Sequence, residues 1–253
     1  MIRTAIVTPD KHFPLHDQRA INVVCKAIKI IKPDIYIDLG DTGEWELFSN
    51  HHWKSIDRPP DHVLIPMLDK SVKEVNKGMD QIDRALNKID CKERHFVQGN
   101  HEVWLDLFAK KETRPRFYTE NALKLEHRGY KFHPYFRKKL LKIGKLNFYH
   151  GHHFAGVHHT RNHLIRLGGN VMYGHHHDIQ QSSVTHIDGV KSAWSIGCLK
   201  DMSSESNEWL GNRQHNWQHA FAIVDFYHTG FFTVHLVQIV NGRTSLWGQV
   251  IKG

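Results

Sequence analysis

His95-Phe96-Val97-Gln98-Gly99-Asn100-His101-Glu102 is the stretch from which the rest of the chain can be read. A short apolar run stops at a glycine, where the backbone can bend sharply. The bend then presents an amide, Asn100, beside an imidazole, His101. An amide oxygen is a hard, uncharged metal ligand, and imidazole can serve as ligand or acid. Four other segments share this construction, each a short strand-like run that ends in Asp or His.

Upstream, Thr4-Ala5-Ile6-Val7-Thr8 is β-branched and apolar and predicts a buried strand, followed by Asp10-Lys11-His12. In extended backbone alternate side chains point the same way, so Asp10 and His12 can serve one cation. From Asp17 to Lys32 apolar residues recur at helical spacing, with Asp17 as N-cap and Pro33 as the stop. Ile35 to Leu39 is the next strand, ending in Gly40-Asp41; Asp38, inside it, reads as a supporting residue. Strand, helix, strand predicts a right-handed β-α-β unit. Sites in open α/β sheets lie beyond the carboxyl ends of strands, so Asp10, His12 and Asp41 are expected to converge.

Downstream, Leu146 to Tyr149 runs into His150-Gly151-His152-His153, and Val171 to Tyr173 runs into Gly174-His175-His176-His177-Asp178. His175 and His177 share a direction, while His176 points elsewhere. Arg161 and His163, between the two motifs, are candidates to line a cleft. Residues 43–92 mix Trp45, Phe48 and Trp53 with histidines, then keep helical spacing from Leu64 to Ile89. They read as a candidate helical insertion or cap within a single domain spanning 1–253. Their aromatic part is either a substrate-facing loop or a satellite hydrophobic cluster. Beyond Asp178, turn signals at Asp188-Gly189, His228-Thr229-Gly230 and Asn241-Gly242 separate apolar runs and predict hairpins. The fold class is α/β with a hairpin-rich C-terminal part.

Composition narrows the function classes. With 253 residues, 40% of them hydrophobic, the chain can bury one sizeable core. Its apolar runs fall far short of the ~18 residues of a membrane span, so no membrane partner is expected. The sequence enters a strand directly, so no leader is expected. Three widely spaced cysteines argue against a disulfide framework or a thiolate zinc site and suit a reducing cytoplasm. The 23 histidines, spread along the chain, favour metal binding. A net charge of +8 fits a polyanionic partner. Basic residues stand beside aromatics at Lys110, Lys111, Arg114 and Arg116, and again at Arg128, Lys131, Arg137, Lys138, Lys139, Lys142 and Lys145. Such mixtures suit a phosphate backbone and unstacked bases, or simply a solvated face.

The five motifs D-x-H, G-D, G-N-H-E, H-G-H and G-H-x-H, in that order from Thr4 to Asp178, resemble the calcineurin-like metallophosphoesterase superfamily. Ser195 to Leu199 and Asn216 to Phe221 resemble segments of its phage-encoded members. The resemblance implies a β-sandwich of two mixed sheets flanked by helices, with two divalent metal ions at the strand ends. Mn²⁺ is the first choice, with Zn²⁺, Fe²⁺ or Ni²⁺ as alternatives. One ion would take Asp10, His12, Asp41 and His177, and the other Asp41, Asn100, His150 and His175, with Asp41 bridging. His101 would be the general acid. Candidate substrate contacts are Asn100, His152, Arg161, Lys138 and Lys139. The location implied is cytoplasmic, in the host cytoplasm if the chain is phage-encoded.

The residue chemistry points the same way. Carboxylate, imidazole and amide donors without thiolate suit Mn²⁺, Fe or Zn²⁺. Two cations about 3.5–4 Å apart can clamp a phosphoryl group for in-line attack, and a neighbouring imidazolium can protonate the leaving oxygen. The protein Ser/Thr phosphatases of the superfamily carry G-D-x-x-D-R-G and R-G-N-H-E. Here the matching segments are Gly40-Asp41-Thr42-Gly43-Glu44-Trp45 and Gln98-Gly99-Asn100-His101-Glu102, and both arginines are missing. The expectation therefore moves to phosphodiester bonds, with nucleic acid as substrate. The alternatives are a phosphomonoesterase or small-molecule (cyclic-nucleotide) phosphodiesterase and a non-catalytic nucleic-acid-binding protein.

Overall fold

The computed structural model describes all residues except 1, 51, 55–56, 136–139, 204 and 212. Arg137, Lys138 and Lys139, two of them candidate substrate contacts, lie outside the described residues. In chain order the elements are β1 (Arg3–Thr8), α1 (Gln18–Ile31), β2 (Ile35–Asp38), α2 (Asp61–Lys88), β3 (Glu93–Val97), α3 (Asn100–Lys111), α4 (Thr119–Ala122) and β4 (Tyr130–His133). There follow β5 (Leu141–Ile143), β6 (Leu146–Phe148), α5 (His159–Leu167), β7 (Val171–Tyr173), β8 (Ile179–His186), β9 (Gly189–Ile196), β10 (His219–Phe226), β11 (Phe232–Ile239), β12 (Arg243–Leu246) and β13 (Gln249–Lys252).

Two mixed sheets result. One has the order β11-β10-β1-β2-β3-β4, with β1 to β4 parallel. The other has the order β5-β6-β7-β9-β8, with β6, β7 and β9 parallel. Strand alternation then builds the layers. Ala5, Val7, Ile35 and Ile37 face the second sheet, where they meet Phe148, Met172 and Ile196. Ile6 and Tyr36, on the opposite face, pack under α1 and α2. On the far side of the second sheet, Leu164 of α5 packs on Tyr149, Val171 and Tyr173. The layers run helices, sheet, sheet, helix: the β-sandwich of two mixed sheets flanked by helices.

Local sequence explains the helices. Asp17 caps α1 by accepting from the amides of Arg19 at 2.7 Å and Ala20 at 3.0 Å, and Lys32 ends it in the left-handed conformation before Pro33. Within 43–92, α2 is the crossover from β2 to β3, and its apolar side, from Leu64 to Leu86, belongs to the same core as α1. The aromatic stretch before it turns inward. Trp45 is buried with its indole donating to Glu102 at 3.0 Å, and Phe48 packs edge-on against Phe108 and Phe117. Of the two readings for that stretch, the hydrophobic cluster holds for Trp45 and Phe48. No described helix is long and apolar enough to cross a membrane.

The parallel strands bring the motifs together. β1, β2 and β3 end next to Asp10, Asp41 and Asn100, while β6 and β7 of the other sheet end next to His150 and His175. All five motifs therefore lie at carboxyl ends of parallel strands, along one edge of the sandwich.

Candidate metal centre

Glu102 organises this edge. Fully buried, its carboxylate accepts from the amides of Asp41 and Thr42 at 2.8 Å, Gly43 at 3.2 Å and Gly99 at 3.0 Å, besides the Trp45 indole. It thereby ties the G-D loop to the G-N-H-E turn. Gly99 permits the close approach, since a Cβ there would lie 2.2 Å from Asp41 Oδ1. Gly174 does the same across the sheets, where a Cβ would lie 1.9 Å from Asp10 Oδ2. Asp38 supports from below, as its position inside the strand suggested. It accepts from the buried Lys11 ammonium at 2.7 Å, from Thr42 Oγ1 at 2.9 Å and from the Gly40 amide at 3.0 Å.

The candidate ligands form two groups. In the first, Asp10, His12 and His177 converge, with His12 Nε2 3.2 Å from His177 Nε2, and His177 Nε2 3.4 Å from Asp10 Oδ1. In the second, His150 Nε2 lies 3.1 Å from His175 Nδ1, 2.8 Å from Asn100 Oδ1 and 3.2 Å from Asp41 Oδ2. Asp41 Oδ2 is also 3.9 Å from His12 Nε2, so this carboxylate lies between the groups. Its other oxygen accepts the His101 amide at 2.9 Å.

The donor chemistry tests whether cations fit. His150 Nδ1 donates to the Leu39 carbonyl at 2.9 Å, which leaves a lone pair on Nε2 facing two acceptor oxygens and another ring nitrogen. His12 and His177 likewise confront each other through ring nitrogens, and His177 Nδ1 is buried without a hydrogen-bond partner. Converging lone pairs repel unless a proton or a metal ion lies among them. A proton does this in the metal-free protein. Burial disfavours the charged imidazole of His150, but Asp41 outweighs it and pushes His150 up to about 9. Burial instead lowers His12 to about 4 and His175 to about 3, so both present neutral nitrogens at pH 7. Five of these residues, Asp10, His12, Asp41, His175 and His177, hold positive φ angles of 24°, 51°, 46°, 65° and 62°. Non-glycine residues pay roughly 1–3 kcal/mol for such backbone, which persists where surrounding structure enforces it.

His101 is held by the Glu44 backbone carbonyl, which accepts from Nδ1. A carbonyl can only accept, so Nδ1 carries a proton and Nε2 is the nitrogen free to exchange one. That Nε2 lies 3.9 Å from Asp41 Oδ2. The Glu44 carboxylate lies 2.9 Å from His12 Nδ1 and accepts from Lys200 Nζ, also at 2.9 Å. Burial works against its charge, but His12 overcomes this and holds it well below the usual carboxylate range. Reading of the sequence missed Glu44 and Lys200. Glu44 stands in the G-D segment and carried a faint signal, whereas Lys200 carried none. A cavity of about 640 Å³ opens over both groups, walled by His101, Lys200, Trp104, Trp209 and Trp217.

Of the other expected substrate contacts, His152 lies beside the second group, its ring 6.3 Å from that of His150, but does not line the large cavity. It stacks on Tyr135 at 3.5 Å and, with His150, lines a small hollow of about 20 Å³. Arg161 stands on the exposed side of α5, away from the residues lining the large cavity, and His163 is buried beneath it. Members of the basic stretches also have partners in the fold. Arg114 and Arg116 pair with Asp61 and Asp69 of α2 at 2.8 and 3.0 Å, and Lys145 lies over the Phe231 ring at 3.6 Å.

No family model and no curated protein matches the chain. Solved structures similar to it include a single-mutant Vps29 from Entamoeba histolytica, at 13% identity over 96% of both chains with a TM-score of 0.48. Vps29 from Cryptosporidium parvum matches at 11% identity, covering 100% of this chain and 99% of that one, with a TM-score of 0.48. The Pseudomonas putida nuclease MPE matches at 12% identity over 92% of this chain and 86% of that one, with a TM-score of 0.33. Function must be read from the site's own residues.

Proposed function

We propose that this chain is a calcineurin-like metallophosphoesterase that hydrolyses phosphodiester bonds in nucleic acid. The observation that carries the reading is the position of the Asp41 carboxylate between two groups of buried nitrogen and oxygen atoms that converge with too few protons to satisfy them. In this reading Asp10, His12, Asp41 and His177 hold one ion, and Asp41, Asn100, His150 and His175 hold the other. Manganese is the first choice and zinc, iron or nickel the alternatives, since every donor is nitrogen or oxygen. Divalent ions bound there would polarise a phosphoryl group and acidify the attacking water.

The chain's own residues supply the rest. Asn100 turns its amide oxygen toward the second group, so its other end is available to the phosphate. His101, with Nδ1 fixed by the Glu44 carbonyl, takes a second proton at Nε2 and gives it to the leaving oxygen. Trp104 packs against the ring at 4.1 Å and limits its rotation. The lack of both phosphatase arginines supports a diester over a phosphomonoester.

A small-molecule phosphodiester is the second reading. It is favoured by the pairing of Arg114 and Arg116 with carboxylates of α2, which shortens any basic track for a duplex. The test is a panel of metal-stripped protein reloaded with Mn²⁺, Zn²⁺, Fe²⁺, Ni²⁺ or Mg²⁺ and assayed on single- and double-stranded DNA, RNA, cyclic nucleotides and phosphomonoesters. Cleavage of polynucleotides above all other classes is expected. Cleavage confined to cyclic nucleotides moves the assignment to the second reading, and no diester cleavage with any metal overturns both.

A further inference from the structure

The cavity wall is more aromatic than phosphate chemistry requires. Ring contacts run in series across the site. Trp104 lies 4.1 Å from His101, His101 4.7 Å from His12, His12 5.1 Å from His177, His177 4.5 Å from Trp217 and Trp217 6.1 Å from Trp209. Indoles thus stand on both flanks of the candidate metal ligands. Trp209 is 63% exposed, and Arg213 lies over its ring at 5.7 Å. Its contacts do not explain a large apolar face turned to solvent at the mouth of a cavity of about 640 Å³.

We infer that Trp209 and Trp217 form a stacking platform for an unpaired nucleobase adjoining the scissile phosphate, with Trp104 flanking the other side. The inference rests on the phosphodiesterase reading and names its substrate class as single-stranded nucleic acid. A phosphate lodged among the histidines carries nucleosides on both ester oxygens, toward the flanks where the indoles stand. An indole offers a face to any base, so such a platform binds strongly while reading little sequence. Bases inside a duplex are already stacked on each other and cannot use it without unpairing. The charged groups at the wall are largely engaged with one another, Lys200 with Glu44 and His52 with Glu46, leaving stacking as the main attraction for a base.

The test compares Trp209→Ala and Trp209→Phe with the unmodified protein. Fluorescence anisotropy in chelator measures binding of labelled oligo(dT) and of an abasic strand of equal length. Mn²⁺-loaded protein is assayed on thymidine 5′-p-nitrophenyl phosphate and methyl p-nitrophenyl phosphate, which share a leaving group and differ in the base. Trp209→Ala should weaken oligo(dT) binding about 5- to 100-fold, leave abasic binding unchanged and lower the thymidine-to-methyl ratio of kcat/KM by a similar factor. Trp209→Phe should restore part of each. Equal binding of both strands by the unmodified protein, or equal losses on both in Trp209→Ala, overturns the platform. If neither ester is cleaved with any metal, the phosphodiesterase reading fails, and the binding comparison still decides the platform.

Discussion

Two histidine clusters lie on either side of the His175-His176-His177 segment, and they behave in opposite ways. Behind it, against α5, every hydrogen-bonded ring nitrogen meets its complement. His159 Nε2 donates to Asp178 at 3.0 Å, and its Nδ1 accepts from the Tyr173 hydroxyl at 2.8 Å. His163 Nε2 donates to the Phe154 carbonyl at 2.8 Å, and its Nδ1 accepts from Tyr149. His176 Nε2 donates to the same carbonyl at 3.1 Å, with its ring stacked on His159 at 3.8 Å. At the sandwich edge, ring nitrogens face other ring nitrogens and carboxylates on backbone of positive φ. His159, His163 and His176 lie close enough together to hold an ion, yet the lone pairs of His159 and His163 are already taken by tyrosine hydroxyls. Proximity of histidines is therefore a poor guide to metal binding. What distinguishes a site is an unmet demand for positive charge, together with strain that the fold maintains.

The largest expected effect separates catalysis from ligation within the edge cluster. His101→Ala should retain its metals and fold but lose about 10²–10⁴-fold in turnover on an unactivated diester. The loss should be smaller for a p-nitrophenolate leaving group, which needs no proton. Equal losses on both esters would deny His101 the acid role and leave it as a phosphate contact.

The α5 cluster should respond in stability alone. His159→Leu removes a donor from Asp178 and a partner from the Tyr173 hydroxyl, at a cost of about 2 kcal/mol, while metal content and kcat stay near their starting values. Chemical denaturation with elemental analysis reads both. Metal loss in His159→Leu equal to that in His175→Ala would break the distinction between the clusters.

A smaller effect appears with pH in metal-free protein. Burial holds His12 at about 4, and His163 and His175 at about 3, whereas an unfolded imidazole titrates near 6.5. The unfolded chain therefore binds more protons in acid, and stability should fall as pH drops below about 6.5. His150 works in reverse: raised to about 9 mainly by Asp41 against its burial, its contribution is complete below about 6.5 and fades as pH rises through 9. Melting temperatures across pH 4 to 10 should show both slopes. Saturating metal should abolish the alkaline one, because His150 then has no proton to lose. An alkaline slope unchanged by metal would remove His150 from the candidate ligands.

Much of the edge cluster was legible because strand ends followed by Asp, Asn or His are local patterns, and parallel strands bring local patterns together. The main sheet was legible for the same reason, since Ile6-Val7 and Ile35-Tyr36-Ile37 are short apolar runs between strong turn signals. Other features depended on tertiary partners. Trp45 reads as part of either a substrate-facing loop or a hydrophobic cluster until Glu102 is found to accept its indole, and Arg114 and Arg116 read as a basic face until α2 supplies Asp61 and Asp69. Strands β4, β5 and β12 are as short as β2 but lack its unbroken apolar run, since each places charged or polar residues within four positions or fewer. Helix α5 is polar and rich in histidine, and its buried side becomes visible only against Tyr149 and Tyr173.

The central claim is that Asp41 joins two metal sites at the edge, and metal stoichiometry tests it most directly. Chelator-treated protein titrated with Mn²⁺ by calorimetry should bind about two ions per chain. Asp41→Ala should lose both high-affinity sites, Asn100→Ala should lose one or weaken it, and His159→Leu should keep both. Full occupancy of two sites in Asp41→Ala, or binding abolished by His159→Leu and spared by Asp41→Ala, would contradict the account.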